Sequence, residues 1–260
     1  TNCAVTGNYC YYDGGGIYNS SGGTVVNCTV TGNSSSSYGG GGIYNSSGTV
    51  TNCSVSNNSA TSGGGISSNY GTVANCTVTG NFAAYGGGGI NNYYGTATNC
   101  TVTNNSATGS GGGISNSGTV ANCTVMGNST TGISSNGGGI YNGSGTVTNC
   151  AVMGNYTIGS YSNGGGIYND GKVMNCTVTG NSAIGANSLG GGIYHNTIHG
   201  SVTNSIVWRN GISDIVGEYL NLVTYSCFGE ASVGNANHNL RANPRFVSTS
   251  GNDPLQWNLR

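Results

Sequence analysis

The chain has 260 residues, of which 51 are Gly and 39 are Asn, and only 11 are charged, for a formal net charge of −1. Five Lys and Arg cannot neutralise a phosphate backbone, so a nucleic-acid partner is excluded. The near-zero net charge excludes charge-driven disorder, and no apolar run approaches the about 18 residues that a membrane-spanning helix needs.

The chain enters a repeat in mid-coil at Thr1-Asn2-Cys3, which reads as a fragment of a longer chain or as a first coil covered by a partner. From there Gly-Gly-Gly-Ile recurs eight times, with its Ile at Ile17, Ile43, Ile66, Ile90, Ile114, Ile140, Ile167 and Ile193, at intervals of 23 to 27 residues. A second string, Thr-Val-x-Asn-Cys-Thr-Val-Thr-Gly-Asn, keeps step with it. It puts Cys3, Cys28, Cys53, Cys76, Cys100, Cys123, Cys150 and Cys176 at one phase, with Ser205 in the ninth place. Asn precedes that position in all nine copies, from Asn2 to Asn204, and follows it by five, from Asn8 to Asn210.

Inside a unit, Thr-Val and Cys-Thr-Val-Thr alternate apolar with polar at period two, β-branched residues dominate, and Gly-Asn or Ser-Gly pairs separate the runs, which is a strand pattern. The third coil illustrates the three predicted strands: Gly65-Ile66-Ser67, Thr72-Val73 and Cys76-Thr77-Val78-Thr79. No such unit buries its apolar side alone, so units must stack into a parallel β-solenoid, each strand beside its counterpart at roughly 4.8 Å. Stacking in register turns each coil's one Ile, two Val and one Cys into continuous internal columns, each buried side chain contributing about 1.5–3 kcal/mol. The Asn columns can form amide ladders, and Gly in threes serves positive-φ turns and close coil-to-coil approach. Inserts of variable length fall between the second Asn and the Gly triplet, at Ser34 to Tyr38, Ser129 to Asn136 and Tyr156 to Asn163, and that edge is where binding is most easily grafted.

Residues 1–204 are read as regular coils, and 205–260 as degenerate last coils with a capping segment of the same solenoid. Eight of the 11 charged residues, both Pro and both Trp lie beyond residue 200, and a terminal repeat that turns irregular covers strand edges. Head-to-tail stacking of copies into a homo-oligomer or fibre is the expected self-association.

The repeats resemble those of right-handed parallel β-helices of the pectin-lyase-like superfamily, in particular bacterial surface and autotransporter passenger proteins whose repeats carry Gly-Gly-Ala-Ile and Phe-x-x-Asn. The matching segments are Gly15-Gly16-Ile17 through Gly191-Gly192-Ile193 and Val5-Thr6-Gly7-Asn8 through Val178-Thr179-Gly180-Asn181, with Gly for the family's Ala and Val for its Phe. Val202 to Trp208, Tyr225-Ser226-Cys227 and Asn243 to Val247 are similar to the closing coils of large secreted bacterial β-helix proteins. The resemblance implies an all-β, right-handed parallel β-helix of about nine to ten coils, extracellular or at the cell surface.

Little in the chain can do chemistry. No Cys-x-x-Cys pair and no Cys/His cluster is present, so no metal and no cofactor is expected. The columnar Cys, Cys28, Cys53, Cys76, Cys100, Cys123, Cys150 and Cys176 among them, read as a stack of free thiols. Cys227 is expected to rejoin it, while Cys10 lies out of phase in an aromatic loop as an exposed thiol or an intermolecular bridge. A polysaccharide lyase or hydrolase needs several carboxylates on adjacent strands. The one concentration of titratable groups is Asp170, Lys172, His195, His199 and Arg209, on consecutive coils that could share an edge; Asp170, His195 and Arg209 are the catalytic candidates.

Fourteen Asn-x-Ser/Thr sequons occur. Those in Asn-Cys-Thr read as inaccessible beside the core column, and Asn19, Asn45 and Asn142, in Tyr-Asn turns, as the better glycosylation candidates. Tyr18, Tyr44, Tyr141, Tyr168 and Tyr194 point outward as two partial ladders that cover a strand face or stack on glycans. The expected function is a non-catalytic structural or adhesive rod. A carbohydrate-binding or carbohydrate-degrading β-helix is the alternative, and an ice-binding solenoid presenting stacked Thr-x-Thr pairs is the third reading.

Overall fold

The computed structural model describes residues 1–36, 39–229 and 237–244. Its strands form four parallel sheets of ten, eight, nine and nine strands, and successive strands of the chain fall in successive sheets. One coil is therefore four strands long. In the fourth these are Thr77–Thr79 in the first sheet, Phe82–Gly86 in the second, Ile90–Tyr93 in the third and Thr96–Thr98 in the fourth. The chain is a parallel β-solenoid, as the period requires, with one strand per coil more than predicted. The additional strand is mostly two residues long and mostly of small side chains, as at Ser106–Ala107 and Ser129–Thr130, too short to show an alternation. The predicted inserts thus begin with a strand, and the loop follows it; Ser37 and Tyr38 lie outside the described residues.

Register is set by identity. Ile66 pairs with Ile43 on one side and Ile90 on the other, and Val78 sits between Val55 and Val102. A one-residue slip would turn every Val and Ile to solvent, so the period-two pattern admits one register. The columns from Ile43 to Ile215 and from Val30 to Val207 are fully buried, and Phe228 ends the second of them.

The corners explain two other recurrent residues. Between the fourth and first sheets the chain turns on one residue in the left-handed region, always Asn from Asn27 to Asn204, with φ between 50° and 56°. Between the first and second sheets the same conformation falls on Gly80, Asn104, Gly127 and their equivalents, and finally on Arg209 at φ 53°. Gly and Asn tolerate it at least cost. In seven of the eight Gly triplets, all but that of Gly40, the first Gly has positive φ, 63° at Gly87, while a Cβ on Gly88 would meet the carbonyl oxygens of Ser106 and Gly112, and one on Gly89 would lie 2.8 Å from that of Gly113.

Beyond residue 204 the solenoid continues in three of its four sheets, the last described strand of the second sheet being Ser182–Ala183. Ile206–Trp208, Ile215–Gly217, Val223–Thr224 and Cys227–Phe228 continue the first, third, fourth and first sheets in turn. The capping segment expected at the end, including Arg245 to Val247, lies largely outside the described residues.

Candidate functional site

Two asparagine ladders run inside the solenoid. In the first, each Asn from Asn8 to Asn181 donates both its backbone N–H and its Nδ2 to Oδ1 of the Asn one coil on, at 2.9 to 3.0 Å. Because every rung donates forward, the last one needs an acceptor that asks for nothing in return. Asp214 supplies it: Oδ1 accepts both bonds from Asn210 at 3.0 Å, and Oδ2 accepts from the Gly229 N–H at 2.8 Å.

The second ladder is built not from the Asn before each Cys but from the residue two after each Ile. Asn19, Asn45, Asn92, Asn116, Asn142 and Asn169 are all buried in the third sheet, and Nδ2 of Asn19, Asn92, Asn116 and Asn142 each reaches the next Oδ1 at 2.7 to 2.9 Å. Asn45 instead finds Ser68 Oγ at 3.2 Å, and Asn92 Oδ1 is left buried with no donor. The ladder ends on His195, whose Nδ1 faces Asn169 Nδ2 at 3.2 Å while its buried Nε2 has no partner.

The expected glycan acceptors lie within this ladder. Asn19, Asn45 and Asn142 are at most 8% exposed, with Nδ2 already donating to neighbouring oxygens. Their place follows from strand alternation: Ile17 points in, Tyr18 out and Asn19 in again. Conversely, the Asn-Cys-Thr asparagines Asn27, Asn75, Asn99, Asn122 and Asn175 are exposed, because the left-handed corner swings each side chain outward.

The three catalytic candidates are not brought together. His195 is inside the coil, and burial holds its pKa below the usual imidazole value. Asp170 turns the corner between the third and fourth sheets, where burial raises its carboxyl pKa against a hydrogen bond from Asn196. Lys172 and His199, both exposed, flank that corner. Arg209 occupies the corner between the first and second sheets, in the position of Gly180, whose N–H donates to its carbonyl. Asp170, Lys172 and His199 thus share an edge, but the inward turn of His195 and the different corner of Arg209 keep the three candidates apart. Among the described residues no three His, Cys, Asp or Glu converge on a metal-sized site.

All ten cysteines are free. Cys28 to Cys176 form the buried stack, each Sγ donating to the carbonyl two residues back at 3.1 or 3.2 Å. Donation to the thiol of the next rung, together with burial, pushes the pKa of Cys76 and of Cys100 up to about 12. Cys3, in the first coil, is exposed, and Cys10 is half-buried beside Ser35. Cys227 does not rejoin the stack. Ser205 and then Ser226 continue it, and Cys227 pairs with Ile206 one position later on the first sheet.

The face with the most to offer a ligand is the outer side of the third sheet. The residue after each Ile forms one column there, read in order as Tyr18, Tyr44, Ser67, Asn91, Ser115, Tyr141, Tyr168 and Tyr194. Tyr18 stacks on Tyr44 at 5.2 Å, Tyr141 on Tyr168 at 5.3 Å and Tyr168 on Tyr194 at 5.5 Å, so the two expected Tyr ladders are present. Burial, and then the charge of Asp170, raise the pKa of Tyr168 and Tyr141. Between the ladders this column carries only small polar side chains, while Tyr70, Tyr93 and Tyr94 pack on one another at the ends of the same strands. Two shallow cavities of 350 and 450 Å³ lie over that gap, and Asn91 lines both. The gap is readable in the repeat, because the residue after Ile changes from Tyr to Ser, Asn and Ser and back, but a column has to be aligned before its interruption has a meaning.

The Thr-x-Thr face of the first sheet is exposed at Thr29, Thr77 and Thr101, with hydroxyl pairs Ser56 to Thr31 and Thr103 to Thr79 at 3.1 Å. It ends at Met153 and Thr179, which are buried, and at Trp208, in register with Thr179.

Residues 99–117 match the Chlamydia polymorphic membrane protein repeat. The matched segment runs from the corner Asn99 through strands of three sheets to Ser117, and holds the Cys100 thiol, both ladder asparagines Asn105 and Asn116, and the triplet before Ile114. No curated protein and no solved structure matches the chain. The chain is a parallel β-helix repeat protein whose coils resemble those of surface autotransporter passengers.

Proposed function

We propose that the chain is a non-catalytic, surface-displayed β-helix of the autotransporter passenger kind, and that its role is adhesive. The observation that carries the reading is the match of residues 99–117 to the polymorphic membrane protein repeat, in a segment whose pattern recurs around every coil. The scarcity of reactive groups supports it, since the first 204 residues hold three charges, Asp13, Asp170 and Lys172. General acid–base or calcium-assisted cleavage of a polysaccharide needs more than that, gathered in one place.

The test is adhesion itself. The purified chain, coated on beads, should retain mammalian epithelial cells or bacterial cells above a coated albumin control, and soluble chain should compete. Beads that retain neither cell type would sink the reading. The degradative alternative is tested by incubating the chain with polygalacturonate and a β-glucan and following unsaturated uronate and reducing ends; release above the blank that His195→Asn or Asp170→Asn abolishes would restore it.

A further inference from the structure

We infer that the gap between the two tyrosine ladders is a binding groove for an uncharged oligosaccharide chain, lying along the solenoid axis on the outer face of the third sheet. The inference rests on the adhesive reading and names its ligand class.

The geometry starts from the stacking. Tyr44 has Tyr18 against one ring face and Tyr141 has Tyr168 against one of its own, both nearly parallel, with interplanar angles of 25° and 13°. Rings stacked along the coil axis leave their free faces looking along it, so Tyr44 and Tyr141 look toward each other over Ser67, Asn91 and Ser115. Four coil steps separate them, roughly 19 Å at the strand spacing of a sheet, which is room for several sugar rings end to end.

The side chains fit that chemistry and few others. Pyranose rings present an apolar C–H face that packs on tyrosine and a rim of hydroxyls that exchange hydrogen bonds with amides and hydroxyls. The groove offers aromatic ends, a floor of Ser67, Asn91 and Ser115, and a further exposed ring, Tyr85, on the wall of the larger cavity. Tyr93 and Asp13 line the smaller one. Asp13 is the sole charged residue lining either cavity, so an anionic chain has no cation to meet and an acidic one would be repelled. Peptide is disfavoured for a related reason: the strands under the gap are paired on both sides and offer no open edge for backbone pairing.

Affinity electrophoresis tests the proposal, with the native chain run in gels containing a soluble β-glucan, a galactomannan, dextran or polygalacturonate. Retardation by at least one neutral polysaccharide is expected, with Tyr44→Ala and Tyr141→Ala each weakening it about tenfold, the worth of one lost aromatic stack. Ser115→Tyr, which extends a ladder into the gap without removing any contact of the fold, should abolish it. Circular dichroism and the thermal midpoint establish that the variants are folded. Mobility unchanged in all three neutral gels overturns the inference, as does retardation by polygalacturonate alone or retardation that Ser115→Tyr leaves intact. Cell retention that survives Ser115→Tyr also overturns it while leaving the adhesive reading standing, and neutral-polysaccharide binding without any cell retention does the reverse.

Discussion

At the scale of single residues, this fold is decided by where amide groups can find partners. A buried polar side chain contributes only if its hydrogen bonds are complete, and both Asn ladders meet that condition except at identifiable rungs. Ser68 is one: its side chain is too short to pass the chain of donors on, and Asn92 Oδ1 is stranded. Ser68→Asn should complete the ladder and raise stability by about 1 kcal/mol, measured as a shift of the urea midpoint at unchanged slope. His195 is the other. Burial lowers its pKa, so below an unfolded value of about 6.5 the unfolded chain binds the proton that the folded chain refuses. Stability should therefore fall as pH drops from about 7 to about 5.5, and His195→Asn should flatten that slope. Asp170 acts with the opposite sign, its carboxyl pKa being raised, and belongs to lower pH. Equal slopes in wild type and variant would refute the assignment. The inward face of Asn19, Asn45 and Asn142 was legible in the alternation Ile-Tyr-Asn. The outward face of the Asn-Cys asparagines was not, because a left-handed corner breaks the alternation at that residue.

At the scale of the elements, strands of two to five residues are held by their copies above and below rather than by local propensity. The Gly triplets show how close those copies lie. A Cβ at Gly112 would meet the carbonyl oxygens of Ser129 and Gly138, both backbone and unable to move singly, so Gly112→Ala should cost about 1–3 kcal/mol by overpacking, visible as a lowered thermal midpoint. Val120→Ile, at a fully buried position beside backbone of ordinary geometry, is the control that separates strain from volume. The thiol stack is a second element property. With maleimide on the folded chain, Cys3 and Cys10 should label, whereas Cys28 to Cys176 should label only after denaturation, as read by mass spectrometry. Rapid labelling of any of those seven in the folded chain would show that the coil opens there. The second-sheet strand escaped the sequence reading for the same reason it is stable: Ser106–Ala107 and its neighbours have no pattern of their own and take their conformation from the stack.

At the scale of the whole molecule, in-register stacking would set like charges one strand spacing apart, and the regular coils carry three charges in 204 residues. Stability carried by apolar columns and amide ladders should be nearly indifferent to screening; a thermal midpoint that moves by more than a few degrees between dilute and molar sodium chloride would point to an electrostatic contribution these coils do not show. The sequence by itself determined the period, the parallel stacking, the Ile, Val and Cys columns and the shortage of catalytic groups, because each is a property of residues at equal phase. Only the tertiary structure decided which corner each turn residue occupies, that His195 lies inside while Asp170 and Arg209 lie on different corners, that Asp214 terminates a ladder, and that two tyrosine stacks bound an open groove. Those depend on how many degrees the backbone turns between one strand and the next, and a left-handed residue marks the repeat with Asn or Gly without stating that angle.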